Sequence, residues 1–159
     1  MPIVLFRVDE RLIHGQVVVG WGSKLRPDRY LVVDPVLATS EWEQELYTLG
    51  LPQRTSVEFR APEEARGEFP TWRESELRSV LLTRDLSTML ELARDRAMDG
   101  EEVNLGGLHL RKGREEVLPY LFLDESDRVT LEELENQGVK ISAQNLPGSH
   151  KVPLATILG

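Results

Sequence analysis

The first loop of the sequence places an imidazole where it could act as a nucleophile. His14 lies between an apolar run at residues 3–6 and a helical pattern that starts at Gln16, in the stretch Arg7-Val-Asp-Glu-Arg-Leu-Ile-His-Gly-Gln-Val17. A neutral imidazole can attack an electrophile, and the first backbone N–H groups of a helix are free to bind negative charge. An anion attached to His14 would therefore meet such donors from Gly15 onward.

Three neighbours of His14 could support that chemistry. Arg11 offers a planar guanidinium that suits phosphate oxygens, and Gly15 removes a side chain where a backbone must approach closely. Asp9 could orient Arg11 or accept the hydrogen of His14 Nε2, which would leave Nδ1 as the attacking nitrogen. Alternatively, Asp9 is a turn residue that bonds to its own backbone. By spacing alone, His14 could also be an inert surface or capping residue.

The elements that must position this loop alternate along the chain. Short apolar runs that predict strands occur at residues 3–6, 30–33, 55–59, 80–82, 103–105, 120–123 and 139–141. Helical patterns lie between them, at residues 16–25, 40–49, 85–99 and 130–137. This alternation predicts an α/β fold with one domain over residues 1–159. We expect a doubly wound, mainly parallel open sheet of about six to seven strands with helices on both faces.

Local signals define some helix ends and one irregular segment. Ser40 with Glu43, and Thr130 with Glu133, have the spacing of capping boxes, which predicts that helices start there. The stretch 60–77 contains two prolines and a glycine without a clear period. We therefore expect a loop there, with at most one short helix.

In open parallel sheets, ligands bind beyond the carboxyl ends of the strands. Five residues at strand ends or at the start of the first helix are expected to support a bound phosphate, namely Gln16, Thr83, Asn104, Gly106 and Gly107. The glycines would allow close approach, and the hydroxyl and amide groups could form hydrogen bonds. The alternative for each is an ordinary turn or structural residue.

Composition excludes several classes of function. The 159 residues include no cysteine, and the three histidines lie far apart without paired carboxylates, so neither a thiolate nucleophile nor a metal site is predicted. The net charge of −8 argues against non-specific nucleic-acid binding. Neither a GxGxxG nor a Walker pattern occurs, so no nucleotide cofactor is expected.

The sequence also predicts a location and a charged face. No segment approaches the roughly 20 apolar residues that span a bilayer, and no signal peptide is recognisable, so we expect a cytoplasmic protein without direct membrane insertion. Residues 1–33 carry five Lys or Arg against three acids. This excess predicts that basic groups such as Lys24, Arg26 or Arg29 steer an acidic partner toward the first loop.

The stretch at residues 7–17 resembles the signature of the IIB components of the bacterial phosphoenolpyruvate-dependent sugar phosphotransferase system, in the mannose/fructose/sorbose family. The Asn-Leu-Gly-Gly sequence at 104–107 is similar to a second loop of that family. The strand end at 81–83 and the approach to the last strand at 134–139 fit as well. The resemblance therefore covers nearly the whole chain.

The resemblance implies a phosphotransferase without a cofactor. His14 would accept a phosphoryl group at Nδ1 from a phosphorylated IIA protein and pass it to a sugar carried by the IIC and IID membrane proteins, at the inner face of the membrane. Arg11 would hold the phosphate. Two alternatives stay open: a regulatory phosphoprotein that is phosphorylated on His14 without serving transport, and a binding module in which His14 is inert. The sequence leaves the sugar and homo-oligomerisation undecided.

Overall fold

One open sheet of seven strands runs through residues 2–159, which are the residues that the computed structural model describes. Across the sheet, the strands are β3 (Ser56–Arg60), β2 (Arg29–Val33), β4 (Ser79–Thr83), β1 (Ile3–Val8), β5 (Glu102–Leu105), β8 (Lys140–Ala143) and β9 (Val152–Pro153). All neighbouring strands are parallel except β8 and β9. The predicted mainly parallel open sheet is therefore confirmed.

Helices cover both faces of this sheet, as predicted. They are α1 (Gly22–Leu25), α2 (Glu41–Leu49), α3 (Pro62–Glu74), α4 (Leu86–Ala93), α5 (Glu125–Asn136) and α6 (Leu154–Leu158). A π-helical segment, Gln16–Trp21, leads directly into α1. The first helical region and α2 lie on one face, and α3 to α6 lie on the other. No helix among residues 2–159 is both long and apolar enough to cross a bilayer.

The strands alternate their side chains between two separate cores. Leu31 and Val33 of β2 belong to the core beneath α3 to α6, whereas Tyr30 and Val32 pack on the opposite face with Val17. Because both faces are covered, every residue of β2 and β4 is buried. Strands that are buried on both faces have continuous apolar sequences, and this pattern predicted them.

The apolar run at 120–123 is not a strand of the main sheet, contrary to the sequence prediction. It contributes β7 (Leu121–Leu123), which pairs antiparallel with β6 (Glu115–Leu118) in a separate hairpin. Leu108 forms an isolated bridge to Leu121, and both side chains are fully buried. The run is apolar because the hairpin closes one of the two cores. The seventh strand of the sheet is β9 instead, and its two residues are too few to show a pattern.

Residues 62–74 form α3, where the sequence predicted mainly loop. Pro62 occupies the first helical position, where its missing N–H costs nothing, and the Glu64 carboxylate accepts the N–H of Ala61 at 2.9 Å. Three apolar side chains recur at helical spacing and are buried, namely Ala65, Phe69 and Trp72. Their burial outweighs the backbone hydrogen bond that Pro70 cannot make.

Both predicted capping boxes differ in the structure. Asp124 caps α5 ahead of the predicted start: its carboxylate accepts the N–H of Asp127 at 2.7 Å, and the Asp127 carboxylate accepts the N–H of Asp124 at 2.9 Å. Thr130 lies inside the helix, where its hydroxyl donates to a carbonyl one turn earlier. At the start of α2, Ser40 bonds to the Glu43 carboxylate at 3.0 Å, and its side chain does not cap a backbone N–H.

The predicted helix at 85–99 is shorter than expected. It ends as α4 at Ala93 and continues as a 3-10 turn, Arg94–Arg96. Asp95 has a φ of 58°, which a right-handed α-helix cannot accommodate, so the helix stops before it.

Two glycine substitutions test these helix assignments. A Cβ on Gly67, within α3, would meet no atom within 4 Å, so Gly67→Ala should raise the free energy of unfolding by about 0.5–1 kcal/mol.

Gly138 follows α5 with a φ of 85°, and a Cβ there would overlap Asp99. Gly138→Ala should therefore lower the free energy of unfolding by about 1 kcal/mol or more. Urea unfolding measures both changes, and a Gly67→Ala protein without added stability would argue against α3.

Candidate functional site

The carboxyl ends of the central strands β1, β4 and β5 lie next to one another, and the side of the sheet that they form is called the carboxyl edge, or simply this edge, below. The N–H of Asp9 donates to the carbonyl of Thr83 at 2.9 Å, and the N–H of Glu10 donates to the carbonyl of Gly107 at 2.9 Å. The helix that follows β1 lies on one face of the sheet, and the helix that follows β4 lies on the other. This edge is therefore the topological switch point, where open parallel sheets bind ligands.

Buried apolar side chains hold the first loop against the sheet. Leu12 is fully buried and has a φ of 56°, a left-handed conformation that costs a leucine about 1–2 kcal/mol. Its N–H donates to the carbonyl of Asp9 at 3.0 Å, and Ile13 is buried beside it. The packing of these two residues sustains the strained turn. It leaves His14 at the edge of the sheet with 15 % of its side chain exposed.

The two ring nitrogens of His14 have different partners. Nε2 lies 3.1 Å from Asp9 Oδ2, and Nδ1 accepts the backbone N–H of Gln16 at 3.3 Å. A carboxylate can only accept, so the hydrogen of a neutral ring belongs on Nε2. Nδ1 then carries the lone pair and faces the first N–H groups of the helix. This is the arrangement in which Nδ1 can act as a nucleophile.

Arg7 lies fully buried beneath the loop, a role that no pattern in the sequence predicted. Its guanidinium is surrounded by the Trp21 ring at 5.2 Å, Asp9 Oδ2 at 3.3 Å, the carbonyls of Gln144 and Asn145 at 2.9 Å and 3.2 Å, and the side-chain oxygen of Asn104. Burial lowers the pKa of Arg7 from its ordinary value, although the charge of Asp9 opposes that shift. The sequence did contain one indication of this buried position: Arg7 is a charged residue near the end of the apolar strand β1.

Asp9 is buried and ionised. Burial by itself would raise its pKa, but the hydrogen bond and charge of His14, the charge of Arg7 and the N–H of Arg11 outweigh burial. The pKa of Asp9 falls from 3.8 to about 2. Oδ1 accepts the N–H of Arg11 at 3.1 Å, while Oδ2 lies against Arg7 and His14. A permanent negative charge therefore stands beside the His14 ring.

Arg11 and Gln16 form the outer side of the site. The Arg11 guanidinium is 40 % exposed, its Nε lies 3.6 Å from Asp9 Oδ1, and its Nη2 donates to Gln16 Oε1 at 2.7 Å. Since Gln16 also supplies the N–H on His14 Nδ1, this bond brings Arg11 close to the ring. A Cβ on Gly15 would meet no atom within 4 Å, so the space beside it is open.

The structure brings the four predicted strand-end residues to this edge, namely Thr83, Asn104, Gly106 and Gly107. The Thr83 hydroxyl donates to a nearby backbone carbonyl at 2.9 Å, and the Asn104 amide oxygen accepts from Arg7. A Cβ on Gly106 would overlap the Arg7 guanidinium. Asn104 and Gly106 therefore border the buried Arg7 beneath His14, Gly107 borders Arg11, and the Thr83 hydroxyl bonds within the loop after β4.

The expected basic face does not adjoin the first loop. Arg29 begins β2, at the edge of the sheet opposite to His14, and it is buried with its guanidinium 3.0 Å from Glu58. Lys24 and Arg26 lie just before β2, on the same opposite side. The prediction that these residues steer a partner toward His14 is therefore wrong, because the helical segment at residues 16–25 carries the chain back to the opposite end of the strands.

Comparisons with known proteins point to one family. The family model described as "PTS system sorbose subfamily IIB component" matches residues 3–159. The chain is 28 % identical to the N-acetylgalactosamine-specific phosphotransferase enzyme IIB component 1 of Escherichia coli (strain K12), over 94 % of each chain. It is 27 % identical to the PTS system fructose-specific EIIB component of Bacillus subtilis (strain 168), over 99 % of this chain and 96 % of that relative. The crystal structure of the IIBSor domain of the sorbose permease from Klebsiella pneumoniae matches with a TM-score of 0.86 at 25 % identity, covering 99 % of this chain and 96 % of that one.

Asp9→Asn tests the buried charge through the pH dependence of stability. The pKa of Asp9 is about 2 in the folded state and 3.8 ordinarily, so its charge stabilises the fold above about pH 4 and ceases to do so as the pH falls toward 2. We expect Asp9→Asn to lower the free energy of unfolding at pH 7 by about 2 kcal/mol or more. Urea unfolding at several pH values should show this gap narrowing below pH 4.

The exposed Asp95 is the matched control for that comparison. Its side chain is 86 % exposed beside Arg66, and exposed ion pairs contribute little. Asp95→Asn should therefore change stability only slightly at any pH. A gap for Asp9→Asn that stayed constant from pH 7 to 3 would contradict the assigned ionisation.

Proposed function

The chain belongs to the sorbose subfamily of PTS IIB components, and from that premise we propose that His14 carries a phosphoryl group between a phosphorylated IIA protein and a sugar. IIB components are phosphotransferases of sugar uptake. The observation that carries the proposal is the pair of contacts on the His14 ring: Nε2 faces the buried Asp9 carboxylate, and Nδ1 faces the start of a helix.

The first step is an in-line displacement at phosphorus. The lone pair of His14 Nδ1 attacks the phosphoryl group of the donor histidine, whose nitrogen–phosphorus bond breaks and returns its electron pair to the donor ring. The His14 ring gains positive charge as the new bond forms. Asp9 stabilises that charge through Nε2–H, as a carboxylate does for the imidazolium of a catalytic triad.

The second step returns His14 to its starting state. A sugar hydroxyl oxygen attacks the phosphorus atom, the bond to Nδ1 breaks, and its electron pair returns to the ring. The hydroxyl proton leaves to water. Nε2 keeps its hydrogen throughout and donates it to Asp9, so the ring does not need to reorient between steps.

Arg11 and the helix start would bind the phosphoryl oxygens. The N–H of Gln16 already points at Nδ1, and Arg11 Nη2 is held within reach by Gln16 Oε1. An arriving phosphoryl group would replace Gln16 Oε1 as the partner of Arg11, because a charged oxygen is the stronger acceptor. The open space beside Gly15 gives the group room.

The surface around the site fits protein partners. Four large apolar side chains are exposed in the segments that follow β1, β2, β5 and β8, namely Val19, Val36, Leu110 and Leu146. We propose that a IIA protein docks over this edge to donate, and that IIC and IID membrane components receive the phosphoryl group for the sugar there. The protein would then work at the cytoplasmic face of the membrane.

Phosphoramidate, a small donor that needs no partner protein, tests the acceptor. We expect one phosphate per chain, labile in acid and stable in base, with a phosphorus NMR signal of an Nδ1-linked phosphohistidine. His14→Ala should take up none, and His150→Ala, which removes an exposed histidine from another loop, should label normally. A His14→Ala protein that still labels would overturn the assignment.

Arg11 variants separate phosphate binding from nucleophilic attack. Loss of one positioned donor slows a charge-developing step roughly 100- to 1000-fold, so Arg11→Ala should accept phosphate slowly but completely. Arg11→Lys should recover part of the rate, because the charge returns without the planar fork. Rapid-quench labelling measures both rates. If Arg11→Ala labels at the normal rate, Arg11 is structural.

Transfer to sugar distinguishes transport from regulation. With phosphoenolpyruvate, the general phosphotransfer proteins, a cognate IIA and vesicles containing IIC and IID, the labelled protein should lose its phosphate to sugar. A protein that labels on His14 but never supplies any sugar would favour the regulatory alternative.

A further inference from the structure

His109, in the loop after β5, is held in one orientation by Glu10. Its Nδ1 lies 3.1 Å from Glu10 Oε2. Glu10 is itself bound by Arg114 at 2.7 Å and Arg111 at 3.3 Å, and Arg114 also donates to the backbone carbonyl of His109 at 2.9 Å. Arg114 is anchored in turn by Asp127 of α5 at 3.1 Å. The ring is therefore fixed although about half of it is exposed.

The free nitrogen of His109 faces the candidate site. Because the Glu10 carboxylate only accepts, Nδ1 carries a hydrogen and Nε2 is the unpaired nitrogen. His109 Nε2 lies 3.4 Å from the position of a Cβ on Gly107, and Arg11 Nη2 lies 3.5 Å from that same position. A single anion over the bare Cα of Gly107 would be within reach of both nitrogens.

The charges around this position favour an anion that arrives from outside. Asp9 Oδ1 forms the inner wall, 3.4 Å from the same position, but Arg7 and the N–H of Arg11 already bind Asp9. On the outer side, Arg11 and His109 present nitrogen atoms. An imidazole with Nδ1–H on a carboxylate can take a second proton at Nε2 and then donate from both nitrogens.

We propose that His109 is a second anchor for the phosphoryl group: with a second proton taken from water, the ring donates Nε2–H to an oxygen of the group bound to His14, across from Arg11. This inference rests on the proposed phosphorylation of His14. His109 forms no covalent bond in this role. Glu10 acts through His109 as a positioning residue, since it keeps Nδ1 protonated and aims Nε2 over Gly107.

The chemistry explains why a second donor is useful at this place. A phosphoryl group in transfer spreads negative charge over three oxygens, and each of them can accept more than one hydrogen bond, so a further donor adds to Arg11 and the Gln16 N–H. Arg11 approaches from the side of Gln16, and His109 approaches from the loop after β5. Donors from two loops would fix the group in line with the attacking Nδ1.

Phosphoramidate labelling of His109 variants tests the proposal. We expect His109→Ala to accept phosphate roughly 10- to 100-fold more slowly, because a hydrogen bond to a charged group is lost. His109→Gln should recover part of the rate, since its amide N–H can occupy the position of Nε2–H. His150→Ala is the matched control and should label at the wild-type rate.

A double variant provides a readout that a merely structural role would not change. Glu10→Gln should slow labelling similarly, and adding it to His109→Ala should cost little more.

The outcomes separate this proposal from the assignment of His14. Wild-type labelling at one site together with an unaffected His109→Ala rate would overturn the role of His109 and leave the phosphorylation of His14 intact. A slow His109→Ala protein with a lowered unfolding midpoint and no recovery by glutamine would also overturn it. Absence of any label on wild type would refute the proposed function itself. A label that survives in His14→Ala and vanishes in His109→Ala would make His109 the acceptor and refute both.

Discussion

The buried ion pair between Arg7 and Asp9 is the interaction on which the site depends. Two fully buried charges 3.3 Å apart are costly unless most of their remaining hydrogen-bonding groups find partners. The two terminal nitrogens of Arg7 find them on Asn104 and on the backbone after β8, and the Trp21 ring packs on the guanidinium face. Nε has no partner among the described residues. Satisfying one guanidinium therefore draws three strand ends and the first helix together.

This pair divides the site into a fixed inner layer and an accessible outer layer. Arg7 binds Asp9 on its buried side, and the Asp9 carboxylate faces the His14 ring and accepts the N–H of Arg11 on the other side. The acceptor ring is thus oriented before any donor arrives, which is what electrostatic preorganisation requires. The outer residues, Arg11 and Gln16, are partly exposed and can exchange their mutual hydrogen bond for one to a phosphoryl oxygen.

Local patterns in the sequence were sufficient for most of the fold, since continuous apolar runs revealed the central strands. In the outer layer of the site they placed Arg11 and Gln16 beside His14, as the structure does, while the roles of these residues stay a prediction that rests also on the family resemblance. The α3 helix was missed because Pro70 is typical of loops. The helical spacing of its apolar residues is stabilised only by packing in the folded protein. In the inner layer the sequence predicted Asp9, Asn104 and Gly106, whereas Arg7, which joins them, was missed for a different reason. Arg7 and Asn104 are 97 positions apart, and only the strand order, which no local pattern encodes, brings them into contact.

Charge in the sequence failed as a guide to recognition for the same geometric reason. The helical segment after His14 carries the chain back to the amino ends of the strands, so the basic groups before β2 lie away from the edge where β1 ends. Exposed apolar side chains lie around that edge, together with the exposed Arg11 and Arg111. A phosphoryl group would add about two negative charges there. Under the proposed function, phosphorylation of His14 would therefore reverse the charge at the site while the exposed apolar side chains around it stay unchanged. The phosphoryl donor and the phosphoryl acceptor could then dock on the same small face of the protein. The charge at His14 would determine which of the two partners binds.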